Sequence, residues 1–176
     1  MKIVACKIPD ILIIEPIKHN DTRGSFMESY RYDLLSKYNI KEFVQDNLVC
    51  SEYGVLRGMH YQVKHPQDKL IQVIDGEIFD VAIDIRKKSP TYGQWFGEYL
   101  SSKNRKQLFI PAGFAHGYCV TSNIAKVLYK CNDYYYLDDQ HGIIWNDVTL
   151  NINWPIKNPI LSEKDIKLSS FQKKMK

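Results

Sequence analysis

The stretch GVLRGMHYQ, residues 54–62, sets Arg57, His60 and Gln62 into what otherwise reads as a short buried strand, and Lys69 follows His60 by nine residues. Further along, IPAGFAHGY carries His116 and AKVLYKC carries Tyr129. An imidazole, an ammonium and a phenol in one pocket are equipment for moving a proton next to a carbonyl. Free imidazole has a reference pKa near neutrality, and a histidine acting as a general base contributes typically about 10²- to 10⁴-fold, a role open to His60. Lys69 can hold the charge that develops on an enolate oxygen, a role worth about 3–4 kcal/mol per donor. Tyr129 can return a proton from the other side. Each residue also has a structural reading. A histidine in a strand often serves only as a hydrogen-bonded structural residue, and Tyr129 shares a face with Ala125, Val127 and Cys131, where it reads equally as a core tyrosine. Asp165, in LSEKD, is the last member of a capping box begun at Ser162. Spacing alone leaves both readings open.

Those side chains need a rigid frame, and the sequence predicts one made of strands. Between Leu70 and Cys131 apolar residues recur at period two, interrupted by turn residues. In EIFDVAIDIR, Phe79, Val81, Ile83 and Ile85 form an apolar face, and Ile78, Asp80, Ala82 and Asp84 a mixed one. LIQVIDGE reads as a strand entering a hairpin turn at Asp75-Gly76. Further strands are expected at WFGEYLS, QLFIP, HGYCVTS and AKVLYKC. ESYRYDLLSKYNI suggests one helix and LSEKDIKLSSF another beginning at Ser162. The expected class is all-β, a sandwich, jelly roll or barrel with a few short peripheral helices. Within GVLRGMHYQ, His60 and Gln62 share a face, whereas Arg57 lies three residues from His60 and falls on the other. Both can reach one pocket only if the strand is irregular near Gly58 or if Arg57 precedes its regular part.

The chain of 176 residues suits a single domain, 1–176, ending in a short basic tail. Hydrophobic residues make up 44% and charged residues 25%, the composition of an ordinary globular protein. The net charge of +4 and a tail without interleaved aromatic residues argue against a nucleic-acid partner. The apolar run Ile11–Ile14 is too short for a signal peptide or a membrane span, so no membrane partner is expected. Cys6, Cys50, Cys119 and Cys131 are scattered without a CxxC pair, which suits a reducing compartment and a cytoplasmic location.

GMHYQVKHPQDKLIQVIDGE followed by P-x-G-x-x-H at Pro111, Gly113 and His116 has the layout of the two-motif cupin barrel, resembling a cupin-type jelly roll. Most cupins bind a metal at such positions, usually with three imidazoles and a carboxylate. Here Gln62 stands where a second histidine is expected and Lys69 where the carboxylate usually falls, an ammonium that repels a cation. No metal and no cofactor are therefore expected.

Nearly the whole chain resembles the dTDP-4-dehydrorhamnose 3,5-epimerase family of nucleotide-sugar enzymes. The matching stretches are DTRGSFMES, QDNLVCSEYGVLRGMHYQ, DKLIQVIDGEIFDVAIDIRKKSPTYGQW, LFIPAGFAHGY, VLYKCNDYY, GIIWND and LSEKD, in order over roughly residues 8–166. The resemblance implies a substrate that is a nucleoside-diphosphate 4-keto sugar, most typically dTDP-4-keto-6-deoxyglucose, epimerised at C3 and C5, the two carbons flanking the ketone. It implies His60 as the base, oriented by Asp165, Lys69 as the enolate-stabilising cation and Tyr129 as the acid on the opposite face. It places Arg57 and Arg23 near sugar and diphosphate, Glu28, Gln45 and Asn47 at the nucleotide, and His116 and Tyr135 along the site. It also implies a homodimer in which Arg23 and Glu28 reach the site of the partner subunit. Two departures bear on the substrate. The His60–Lys69 spacing is one residue shorter than in familiar members, and His19 stands where several have phenylalanine. Some relatives epimerise C3 alone, and others act on GDP-linked heptoses. From other classes stand a non-catalytic sugar-nucleotide-binding cupin, which would bind without solvent exchange, and a metal-dependent cupin isomerase or oxygenase.

Overall fold

In the computed structural model residues 1–171 are described, and the basic end of the chain, 172–176, lies outside the described residues. Six strands form one antiparallel sheet: β1 (Lys2–Ala5), β2 (Leu12–Glu15), β5 (Gln45–Glu52), β7 (Lys69–Asp75), β10 (Gln107–Ile110) and β12 (Ile124–Cys131), in the order β1-β2-β10-β7-β12-β5. Five form a second: β6 (Leu56–Gln62), β8 (Glu77–Asp84), β9 (Trp95–Ser101), β11 (Phe114–Val120) and β13 (Gln140–Gly142), in the order β13-β6-β11-β8-β9. A separate hairpin joins β3 (Lys18–Asp21) to β4 (Gly24–Met27). The helices are single turns, α1 (Tyr32–Leu35) and α2 (Glu163–Ile166). This is the expected all-β sandwich with small peripheral helices. Among the described residues no helix is long and apolar enough to cross a membrane.

The two sheets close on a core that includes Ile71, Val73, Ile78, Leu100, Leu108, Val120 and Val127. Both sheets also bury part of their outer faces. Leu70, Phe109 and Ile14 are covered by Leu35 and Ile40 from the α1 region. Phe79, Val81 and Ile83 lie beneath the C-terminal segment, with Ile143, Leu150 and Phe171 buried against them and Trp145 and Trp154 packed on the cluster. That covering explains the pattern of β8. Its apolar face is turned away from the sandwich interior, and its mixed face, carrying Asp80 and Asp84 at 0% exposure, is turned elsewhere than the Trp-rich cover.

Asp75-Gly76 makes a sharp reversal, but not a hairpin. β7 pairs with β10 and β12 while β8 pairs with β11 and β9, so the turn carries the chain from one sheet to the other. The local signal specifies a reversal with positive φ at glycine, here +80°, and says nothing about which strands pair. α2 begins where the capping box predicts, with Ser162 Oγ accepting the Asp165 N–H at 3.1 Å.

Candidate active site

The site lies between one half of each sheet, β7-β12-β5 on one side and β13-β6-β11 on the other. Register places its wall residues in rows. Gln45, Cys131 and Lys69 are cross-strand partners on β5, β12 and β7, and Asn47, Tyr129 and Ile71 form the next row. On the opposite wall, Gly142, His60, His116 and Ala82 align across β13, β6, β11 and β8. Two connected lobes of about 220 and 280 Å³ result, sharing His60, Lys69, Tyr129, Tyr135 and Gln140. Gln45, Asn47 and Gln62 line the first, and Arg57, His116 and Asp165 the second.

Arg57 and His60 reach the same cleft because β6 contains one extra residue. His60 pairs with His116 and Arg57 with Tyr118, so three steps along β6 match two along β11. Leu56, Met59 and Tyr61 all pack on the cluster under the C-terminal segment, and Gly58 absorbs the change of phase with φ +118°. Only glycine fits, since a Cβ there would stand 2.5 Å from Gly117 Cα and 2.7 Å from the His116 carbonyl oxygen.

His60 Nε2 lies 2.6 Å from Asp165 Oδ1. The carboxylate is 3% exposed, and α2 holds it in place through the Ser162 cap. Burial works to raise the Asp165 pKa, but the bonds from His60, the Gly58 backbone and Ser162 outweigh it and hold the carboxyl below its ordinary range. The pair is therefore an ionised carboxylate beside an imidazole, leaving the second ring nitrogen for a substrate. Asp165 thus sits where its backbone N–H takes the Ser162 cap while its carboxylate contacts His60.

Lys69 forms no ion pair among the described residues. Desolvation lowers its pKa, opposed by the nearby Cys131 and Asp80. Burial raises Tyr129, as does Cys131, while Arg57 opposes them, so the phenol stays protonated through the neutral range. His116 does not stand free: its Nε2 lies 2.9 Å from Asp80 Oδ2. Arg57 donates from Nε and Nη2 to Ser51 Oγ, at 3.1 Å each.

Gln62 is a brace. Its Nε2 donates to the carbonyls of His65, at 2.7 Å, and Tyr134, at 3.2 Å, and its Oε1 accepts the Tyr136 N–H at 2.8 Å. It thereby ties the short loop VKHPQD to the loop carrying Tyr135. Asp139 secures the same loop by accepting the N–H groups of Val63, Lys64 and His65. Among the described residues no three His, Cys, Asp or Glu side chains are grouped as metal ligands.

The structure thus brings together His60, Lys69, Tyr129, Asp165, Arg57, His116, Gln45, Asn47 and Tyr135. It does not bring Arg23 or Glu28 into this chain's own cleft. Arg23 sits at the turn of the β3–β4 hairpin, 88% exposed and paired with Asp21, and Glu28 follows the hairpin beside Arg31. His19 lies on the same hairpin. Sequence reasoning missed Asp80 and Gln140. Asp80 had a signal, a carboxylate on the mixed face of a strand whose other positions are apolar. Gln140, which accepts from both Tyr135 Oη and Lys164 Nζ at 2.5 Å, had none.

Fold and cleft together define a cupin-type sandwich whose mouth holds an imidazole, an ammonium and a phenol. The chain belongs to the dTDP-4-dehydrorhamnose 3,5-epimerase family, whose model matches residues 5–173. It is 49% identical to the dTDP-4-dehydrorhamnose 3,5-epimerase of Shigella flexneri over 97% of this chain and 96% of that one. It superposes on the dTDP-6-deoxy-D-glucose-3,5-epimerase of Legionella pneumophila, solved in complex with dTDP-4-keto-L-rhamnose, with a TM-score of 0.93 and 45% identity, covering 96% and 92% of the two chains. A 3'-monoepimerase from Streptomyces bikiniensis, in complex with dTDP-quinovose, is more distant, at TM-score 0.88 and 27% identity over 94% and 86%.

Proposed function

We propose that the protein inverts C3 and C5 of a dTDP-linked 4-keto-6-deoxy sugar by proton removal and return, with no change of oxidation state. The observation that carries this reading is the His60–Asp165 pair opening into the cleft that also holds Lys69 and Tyr129. His60 removes the proton next to the ketone, and ionised Asp165 stabilises the imidazolium that forms. Lys69 holds the charge on the enolate oxygen, and Tyr129, protonated at neutral pH, returns a proton to the opposite face. One base and one acid on opposite faces are what inversion requires, and the same ketone acidifies both carbons. Arg57 binds near the sugar and diphosphate, and Gln45, Asn47, His116 and Tyr135 line the space around the substrate. Arg23 and Glu28 complete the site from the partner subunit of a homodimer, a reading supported by their distance from this chain's own cleft. The four cysteines are free thiols, which supports a cytoplasmic location.

Incubation with dTDP-4-keto-6-deoxyglucose in D₂O, read by NMR, tests the proposal. Deuterium is expected at C3 and C5. Incorporation at C3 alone would make the protein a mono-epimerase, and none at either carbon, with dTDP- or GDP-linked 4-keto sugars, would end the epimerase reading.

A further inference from the structure

Three buried side-chain polar atoms among the described residues have no hydrogen-bond partner: Tyr30 Oη, Gln107 Oε1 and Tyr118 Oη. Tyr118 is the one that lines the cleft. It is 4% exposed, and its ring packs in the core between the sheets. In register its neighbours are Arg57 on β6 and Asp80 on β8. Ser51 lies within weak hydrogen-bonding reach of it, but Ser51 Oγ already accepts from Arg57 Nε and Nη2, and no bond of ordinary length and angle joins it to Tyr118 Oη.

For packing alone, phenylalanine would serve at nearly the same volume without burying a polar atom. An unpaired buried hydroxyl destabilises the free protein. Of the other polar side chains lining this lobe, His60, His116, Arg57 and Asp165 are paired within the protein, and Lys69 and Tyr129 are the groups the epimerase reading assigns to the reaction. A lone donor beside a guanidinium suits an oxygen acceptor that arrives with the ligand, and a negatively charged oxygen most of all.

We propose that Tyr118 is a substrate-binding residue whose hydroxyl donates to a substrate oxygen in the Arg57 lobe. Engagement begins when Arg57 turns from Ser51 to the ligand's anionic group, opening the hydroxyl to the same part of the ligand. The acceptor is an oxygen of the sugar or of the phosphate that bears it. This rests on the epimerase reading.

The test is Tyr118→Phe, compared with the parent on the same dTDP-linked 4-keto sugar. The melting temperature of the free variant is expected to equal or exceed that of the parent, while kcat/KM falls about tenfold or more, mostly through KM. If the acceptor is the phosphate, calorimetric binding of dTDP alone weakens by a similar factor. If it is a sugar oxygen, dTDP binding is unchanged and only the sugar nucleotide binds less well. A kcat/KM within twofold of the parent overturns the inference, as does a lower melting temperature, which would give the hydroxyl a structural partner. Ser51→Ala supplies the second variant. The Tyr118→Phe loss should persist in its background, and disappearance of the loss there would show that the hydroxyl acts through Ser51. Equal kcat/KM with solvent exchange intact in the parent overturns this inference alone, whereas absence of exchange in the parent overturns the epimerase reading with it.

Discussion

At the scale of single residues, the proposed site separates groups that hold charge from groups that move protons. His60 and Tyr129 should therefore fail differently. His60→Ala is expected to abolish deuterium incorporation, whereas Tyr129→Phe should retain partial proton removal and slow net inversion; equal losses of exchange and inversion in both variants would contradict the division of roles. Lys69 carries a second conflict, because desolvation holds its pKa below that of a free lysine. The unfolded chain then binds the extra proton at pH values between the lowered folded pKa and the unfolded one. Stability accordingly rises with pH through that window, and the full cost of the buried ammonium is present below it. Lys69→Met should raise the melting temperature at neutral pH, with the gain shrinking toward the ordinary lysine pKa, while kcat drops by about 10²- to 10³-fold. Parallel pH-dependent melting curves and initial rates check both signs. A defect confined to KM would mean that the charge serves bound substrate and transition state alike.

At the scale of elements, β6 decides whether the proposed catalytic and binding residues meet. Gly58→Ala would force a methyl group against Gly117 Cα and the His116 carbonyl at a φ that L-residues avoid. We expect a loss of about 2–4 kcal/mol in denaturant unfolding, with a larger proportional loss of activity, because a β6 without its extra residue cannot point Arg57 and His60 the same way. Period-two counting in GVLRGMHYQ left two ways for Arg57 and His60 to share a pocket, an irregularity near Gly58 or an Arg57 ahead of the regular strand, and the fold takes the first. Most of the strands, the Ser162 cap and the residues of the cleft were legible, because alternation, caps and motif residues are written locally. The pairing at Asp75-Gly76 was not, since a Gly turn of positive φ serves a hairpin and a corner between sheets equally well. Nor was the outward direction of the apolar face of β8, which depends on a C-terminal cover about 70 residues away in sequence that brings Trp145 and Trp154 onto it. Gln140 escaped for a similar reason: its role is defined by Tyr135 and Lys164, which only the fold brings to it.

At the scale of the whole molecule, the β3–β4 hairpin is the part of the described chain that a single subunit explains least. A two-stranded hairpin is marginal by itself in water, and here it forms a sheet of its own with Phe26 69% exposed and Arg23 at its turn. A second subunit that covers Phe26 and receives Arg23 in its cleft would account for both. Such an arrangement would make each site a composite, with His60 from one chain and Arg23 from the other, and composite sites can be rebuilt from two defective parents. Arg23→Ala and His60→Ala proteins, each weakly active or inactive alone, should recover activity when unfolded together and refolded as a mixture. Random pairing of equal amounts makes about half the dimers mixed, each with one intact site, so roughly a quarter of the parental activity is expected. If Arg23 served the cleft of its own chain, no pairing would unite it with His60, and the mixture would show only the average of the two defective proteins. Light scattering on the same samples should give the mass of a dimer, and a monomeric mass with full parental activity would rule out the composite site directly.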